Sequence, residues 1–172
     1  MTIFFSKLER VLAYFVGFLM ALMVVDVTWQ VITRFIMSQP SSYTEELARF
    51  LLVWISLLGA AYAYRTRAHL GLDILVTQFN VSVQKWIALF IEVVCLFFAV
   101  VILLYGGLKL VMLTLELNQT SAALQVKMGY VYCALPISGV LIALFSLERI
   151  FTSVSNIAGD SNALAQKNPE EL

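Results

Sequence analysis

Charge is what this sequence has least of. Of its 172 residues, 13% are Asp, Glu, Lys or Arg and 61% are hydrophobic, whereas a water-soluble domain usually carries about 25% charged and 45–50% apolar side chains. That balance excludes an ordinary soluble domain and points to one small membrane domain. The formal net charge is zero, so nothing marks a polyanion partner. No basic patch with interleaved aromatics occurs, and nucleic acid is excluded.

Cysteine and histidine are nearly absent. Cys95 and Cys133 both sit inside apolar runs, with no Cys-x-x-Cys pair; this rules out a disulfide framework and most metal-site spacings. It also rules out a quinone-dependent thiol oxidase, which needs external cysteine pairs. Both cysteines read as small hydrophobes. The single histidine, His69, cannot supply a bis-histidine haem from this chain alone. There is no nucleophile–base pair, Gly-rich phosphate loop or metal-ligand set, so neither catalysis nor a cofactor is expected.

What the sequence has is long apolar runs. Four of them, at about 11–37, 47–64, 86–108 and 130–147, are long enough to cross a bilayer, which takes about 20 residues per helix. The expected fold is an all-α membrane protein of four transmembrane helices with short amphipathic interfacial segments. A membrane domain would fill residues 1–152 and a polar cytoplasmic tail residues 153–172. The first run follows Lys7 and Arg10 as a signal peptide would, but its apolar core is too long and no cleavage site follows, so it reads as a retained anchor. In "SQPSSYTEE" Pro40 stops a helix, Ser42 or Thr44 can cap the next, and Ser42 with Glu45 has capping-box spacing. In the second connection Leu70, Leu72, Ile74, Leu75 and Phe79 suggest an interfacial element.

Lys7, Arg10, Arg65, Arg67, Lys85, Arg149 and Lys167 share the side of the termini, against Arg34, Arg49, Lys109 and Lys127 on the other. The bias places both termini in the cytoplasm of a bacterial inner membrane. Arg65, Arg67 and His69 are candidate lipid head-group contacts.

The polar residues inside the runs are the candidates for chemistry. Asp26, Gln30 and Arg34 recur at i, i+4 and i+8 on the first run, close to Thr33. An intramembrane acid is a proton or cation site on the sharper reading, and an interhelical or intersubunit contact on the other, which is favoured because no second acid shares that face. Glu92 reads as half of a structural ion pair, with Lys85, Arg65 or Arg67 as partner. Glu45 and Glu46 open the second helix at its positive dipole end, with Arg49 one turn on as an ion-pair partner and Arg34 as another. Ser56, Gly59, Ala60 and Ala63 make a small-residue face suited to close helix approach, and Pro136, Ser138 and Gly139 should bend the fourth helix.

Three stretches together carry a resemblance: "VTWQVITRF", "YTEELARFLLVWISLLGAAYAYRTRAHLGLDIL" and "TSAALQVKMGYVYCALPISGVLIAL". They resemble the small membrane subunit of tripartite ATP-independent periplasmic (TRAP) transporters, in order and at the spacing of that family, over most of residues 10–150. Gln125 to Lys127 stand where the family often has Pro or Gly. The resemblance implies a static scaffold that pairs with a large elevator-type subunit driven by a sodium gradient. A periplasmic receptor would deliver an acidic solute, and this subunit would bind neither solute nor sodium. On the matching positions, Arg34, Glu45, Glu46, Arg49 and Trp54 would lie near the outer boundary and touch the large subunit. Ser41, Ser42, Asn118, Gln119 and Lys127 would be candidate receptor contacts. The alternative is a small proton-coupled drug exporter working as a homodimer through Asp26.

Overall fold

A computed structural model describes residues 2–36, 42–66 and 81–167. Its helices are α1 (Thr2–Phe35), α2 (Ser42–Arg65), α3 (Val81–Phe98), α4 (Gly107–Glu116), α5 (Met128–Tyr132) and α6 (Ala134–Lys167), with a π-helical segment, Ala99–Gly106, joining α3 to α4. They form four spans long and apolar enough for a membrane: Phe5–Phe35, Ser42–Arg65, Trp86–Glu116 and Met128–Val154. In lipid no water is available to backbone N–H and C=O groups, so these runs close their hydrogen bonds within the helix even where β-branched residues are frequent.

Helix α1 buries a seam of Leu12, Val16, Leu19, Asp26 and Thr33, with Met23 and Gln30 partly buried between them. This spacing, alternating four and three, is the seam of a left-handed helix pair. Against its apolar half α2 sets Leu51, Leu58, Ala61 and Tyr64, and Phe145 of α6 completes the core. The polar stripe expected on α1 is therefore divided. Asp26, Gln30 and Thr33 face inward, whereas Arg34 turns outward and lies over the ring of Phe35 at 6.0 Å. The ion pair expected between Arg34 and Glu45 does not form.

The close approach expected on α2 occurs elsewhere. Ser56 and Ala60 are exposed, and a Cβ on Gly59 would meet nothing within 4 Å. The tight contact is between the third and fourth spans. There a Cβ on Gly107 would meet Leu135 Cβ at 2.9 Å, and one on Gly139 would meet Leu104 N at 2.9 Å and Ala99 O at 3.0 Å. The backbone of the π segment thus rests directly on Gly139. Where a bend was expected from Pro136, the helix is interrupted one turn earlier: α5 ends at Tyr132 and α6 begins at Ala134, while Cys133 between them keeps a right-handed helical backbone and donates to Gly129 O at 3.1 Å. Proline has no N–H for the Tyr132 carbonyl and its ring crowds that oxygen.

The polar tail continues α6 as helix through Lys167, in keeping with good helix formers such as Ala163, Leu164, Ala165 and Gln166. Ser41, Arg67, His69 and the predicted interfacial element from Leu70 to Phe79 lie outside the described residues.

Gly139→Ala should lower the thermal unfolding midpoint in detergent, at a cost of about 1–3 kcal/mol, because two of the three clashing atoms are backbone and the third is the Cβ of Leu103. Gly59→Ala, with open space around it, is the control. Equal midpoints for the two variants would contradict the packing described.

Candidate functional site at the two ends of the bundle

Two polar assemblies fasten the helices, one beside the chain termini and one at the opposite end. The terminal assembly draws a residue from every span. Glu92 of α3 enters from the apolar interior, where an unpaired carboxylate is costly. Its Oε1 accepts from Arg149 Nη1 at 3.0 Å and its Oε2 from the Tyr64 hydroxyl, while Ser146 Oγ donates to the Glu92 carbonyl at 2.9 Å and lies 3.4 Å from that Oε2. The second arm of Arg149 donates to the carbonyls of Tyr64 at 2.8 Å and Arg65 at 3.1 Å. These are the last carbonyls of α2, which lack intrahelical partners, so one guanidinium both neutralises Glu92 and caps α2.

Arg65 performs the neighbouring bridge. Its Nε donates to Glu9 Oε2 of α1 at 3.1 Å and its Nη1 to Glu148 Oε2 of α6. The guanidinium carbon lies 5.4 Å from the Phe145 ring centre and 5.8 Å from that of Phe5, within cation–π range. Side-chain exposure is 13–18% for Glu92, Arg149, Arg65 and Glu148, and 36% for Glu9. Arg65, a candidate for lipid head-group contact, thus directs its charge to two carboxylates of the bundle.

At the other end the loop between α4 and α5 folds on itself. Asn118 takes a left-handed φ of 47°, and the bonds Gln119 N–H to Thr114 O and Asn118 N–H to Leu115 O, both 3.1 Å, close α4 in a Schellman motif. Thr120 and Lys127 form an antiparallel bridge. Ser121 N–H donates to Val126 O, and Met128 N–H to Gln119 O, each at 2.9 Å. Gln125 also adopts a left-handed φ, 53°, a conformation that favours glycine and costs another residue about 1–2 kcal/mol.

Into this loop reaches Glu46. Its carboxylate accepts from the backbone N–H groups of Ala122 (3.1 Å), Ala123 (2.9 Å) and Leu124 (2.7 Å). Successive N–H groups converging on one anion make a nest. Adjacent Glu45 points the other way and pairs with Arg49, both exposed. The two glutamates therefore divide their work by helix face.

The structure places the predicted residues as follows. Glu45, Glu46 and Arg49 are at the loop end. Asn118, Gln119 and Lys127 are exposed in the loop, and Ser42 is exposed at the start of α2. Trp54 is at mid-span, half-buried against the core, rather than at the boundary. Asp26 is 6% exposed and its Oδ2 has no hydrogen-bond partner among the described residues. Sequence reasoning missed Glu9, Tyr64, Ser146, Glu148 and Arg149 as a network. The signal was available: each lies near the terminal end of an apolar run, at the depth of Glu92. No group of three or more potential metal ligands occurs among the described residues.

Fold and site together define a membrane-spanning helical bundle whose charges act as fasteners. The chain belongs to the DctQ component family of tripartite ATP-independent periplasmic transporters, whose signature matches residues 23–156. It is thus a multi-pass small permease subunit, a non-enzymatic membrane component. It is 26% identical over 150 residues to the sialic acid TRAP transporter small permease protein SiaQ of Vibrio cholerae, covering 84% of this chain and 82% of that one. It is 30% identical over 110 residues to the C4-dicarboxylate small permease protein DctQ of Rhodobacter capsulatus, covering 63% and 48%. Identity is 34% over 108 residues to the isethionate TRAP transporter permease protein DctMQ of Oleidesulfovibrio alaskensis, covering 63% of this chain and only 17% of that longer one.

Arg149→Ala strands Glu92 and uncaps α2; it should destabilise the bundle by about 3–5 kcal/mol, read as a lowered unfolding midpoint. An unchanged midpoint would remove Glu92–Arg149 from its place as the main fastener. Glu46→Ala should instead leave the midpoint nearly unchanged while hydrogen exchange at Ala122, Ala123 and Leu124 accelerates by about tenfold or more. Undiminished protection of those amides would show that the loop holds itself.

Proposed function

We propose that this chain is the static scaffold of a sodium-driven TRAP transporter in the bacterial inner membrane, with both termini in the cytoplasm. It pairs with a large elevator-type subunit and helps dock a periplasmic receptor during uptake of an acidic solute. The observation that carries the reading is the terminal network: one set of charges ties all four spans into a body suited to stand still beside a moving partner. Three further features support it. The outward face of α2, with Glu45, Arg49, Ser56 and Ala60, is left uncovered by the chain's own helices, so the large subunit can approach closely there. The loop on Glu46 presents Asn118, Gln119 and Lys127 in a fixed shape to a receptor. Relatives named for isethionate, sialic acid and C4-dicarboxylates agree on an anionic solute while differing in its identity.

A second reading, the homodimeric exporter, rests on the unpartnered oxygen of Asp26. The two separate cleanly. Co-expressed with a large TRAP permease subunit from the same source, the chain should purify as an equimolar complex. Arg49→Ala should cut complex yield or uptake several-fold without unfolding the bundle, since the pair is exposed. Asp26→Asn should leave uptake within about twofold, since among the described residues the Asp26 Oδ2 makes no hydrogen bond for the change to remove. A chain that purifies alone as a homodimer and loses transport with Asp26→Asn would transfer the function to the exporter.

A further inference from the structure

Between α1 and α2, beside the chain termini, lies a recess of about 410 Å³ lined by Ser6, Glu9, Arg10, Ala13, Tyr14 and Tyr62. A cation and an anion stand next to each other in it. Glu9 gives one oxygen to Arg65 Nε, and among the described residues its other oxygen receives no protein donor. Arg10 is exposed and has no carboxylate within ion-pair distance among the described residues. Two phenol groups complete the lining. The recess sits at the predicted membrane boundary, where the apolar run of α1 begins.

Beyond it both helices run on into their apolar spans. The Glu9–Arg65 bond sets the register of the two antiparallel helices. By that register Gly17 and Gly59 reach about the same depth, roughly two turns further into the membrane on the recess side. A Cβ on either glycine would meet nothing within 4 Å. Open space at both positions leaves room for an acyl chain beside the helices below the recess. A soluble ligand has no use for that apolar room, whereas an amphiphile has.

We propose that this recess binds a phospholipid with a phosphoethanolamine head group. Arg10 and the tyrosine hydroxyls take the phosphate, since a guanidinium matches phosphate oxygens in geometry and charge. The primary ammonium donates to the free oxygen of Glu9, and an acyl chain lies across Gly17 and Gly59. A quaternary ammonium has no N–H to give Glu9, and a phosphoglycerol head group brings no cation to it. The preference follows from one carboxylate oxygen.

The test uses the full-length chain, extracted in mild detergent and reconstituted into nanodiscs holding equal amounts of phosphatidylethanolamine, phosphatidylcholine and phosphatidylglycerol with identical acyl chains. Lipids that remain bound on release are counted by native mass spectrometry. The wild type should retain phosphatidylethanolamine about tenfold over either competitor, the worth of one charge-assisted hydrogen bond. Arg10→Gln, which removes the phosphate contact, should abolish that preference. Gly17→Leu, which occupies the open space at that position and leaves the recess lining intact, should reduce total retention. Both positions are exposed, and should either variant fail to fold the other decides the outcome. Equal retention of the three lipids by the wild type, or retention unchanged in the folded variants, overturns the proposal. So does displacement of the lipid by millimolar inorganic phosphate or soluble phosphoethanolamine, which would make the ligand a free phosphate ester.

Discussion

A carboxylate in an apolar bundle has to be neutralised by something within reach, and in this chain that something is Arg149. The Glu92–Arg149 pair sets much of the rest. It requires α3 and α6 to lie side by side, brings Tyr64 close enough to donate, and puts the second guanidinium arm on the end of α2. Burial of Arg65 beside it then draws in Glu9 and Glu148. In water each of these pairs would be worth little. At 13–18% exposure inside a membrane bundle, breaking one leaves an uncompensated charge, and that asymmetry makes them fasteners.

The apolar contacts are of a different kind. Between the third and fourth spans the limiting feature is space: Gly107 and Gly139 admit backbone where any side chain would collide. Lipid tails are as apolar as leucine, so a hydrophobic face gains little by leaving them for another helix, and close backbone approach supplies the dispersion energy instead. Long-range fixing at the ends and tight van der Waals contact at mid-depth are complementary ways to hold helices that hydrophobicity alone does not bring together.

Much of this was legible in the sequence. The apolar runs gave the spans, because length against bilayer thickness is decisive. Glu45 with Arg49 followed from helix periodicity, which is local. What escaped was everything set by which helix neighbours which. The small-residue face of α2 reads like a packing face, yet the close contact went to Gly139, whose partner is an unusual π-helical backbone that no residue pattern announces. Glu46 reads as a first-turn acid, and its true partners are three amides of a loop more than 70 residues later. Arg149 was visible as a charge near a helix end, but its role depended on Glu92 arriving at the same depth.

Helix α2 carries both fastenings. Glu46, near its start, holds the loop, and Tyr64 with Arg65, at its end, enters the terminal network. The two lie about 27–28 Å apart along one unbroken helix. The loop is braced internally and, among the described residues, is hydrogen-bonded to α2 through that single carboxylate. A push on the loop from outside the membrane therefore reaches α2 through one carboxylate, beside the covalent paths through α4 and α5. Mechanically, α2 is a tie rod: load applied at one face of the membrane is borne at the other.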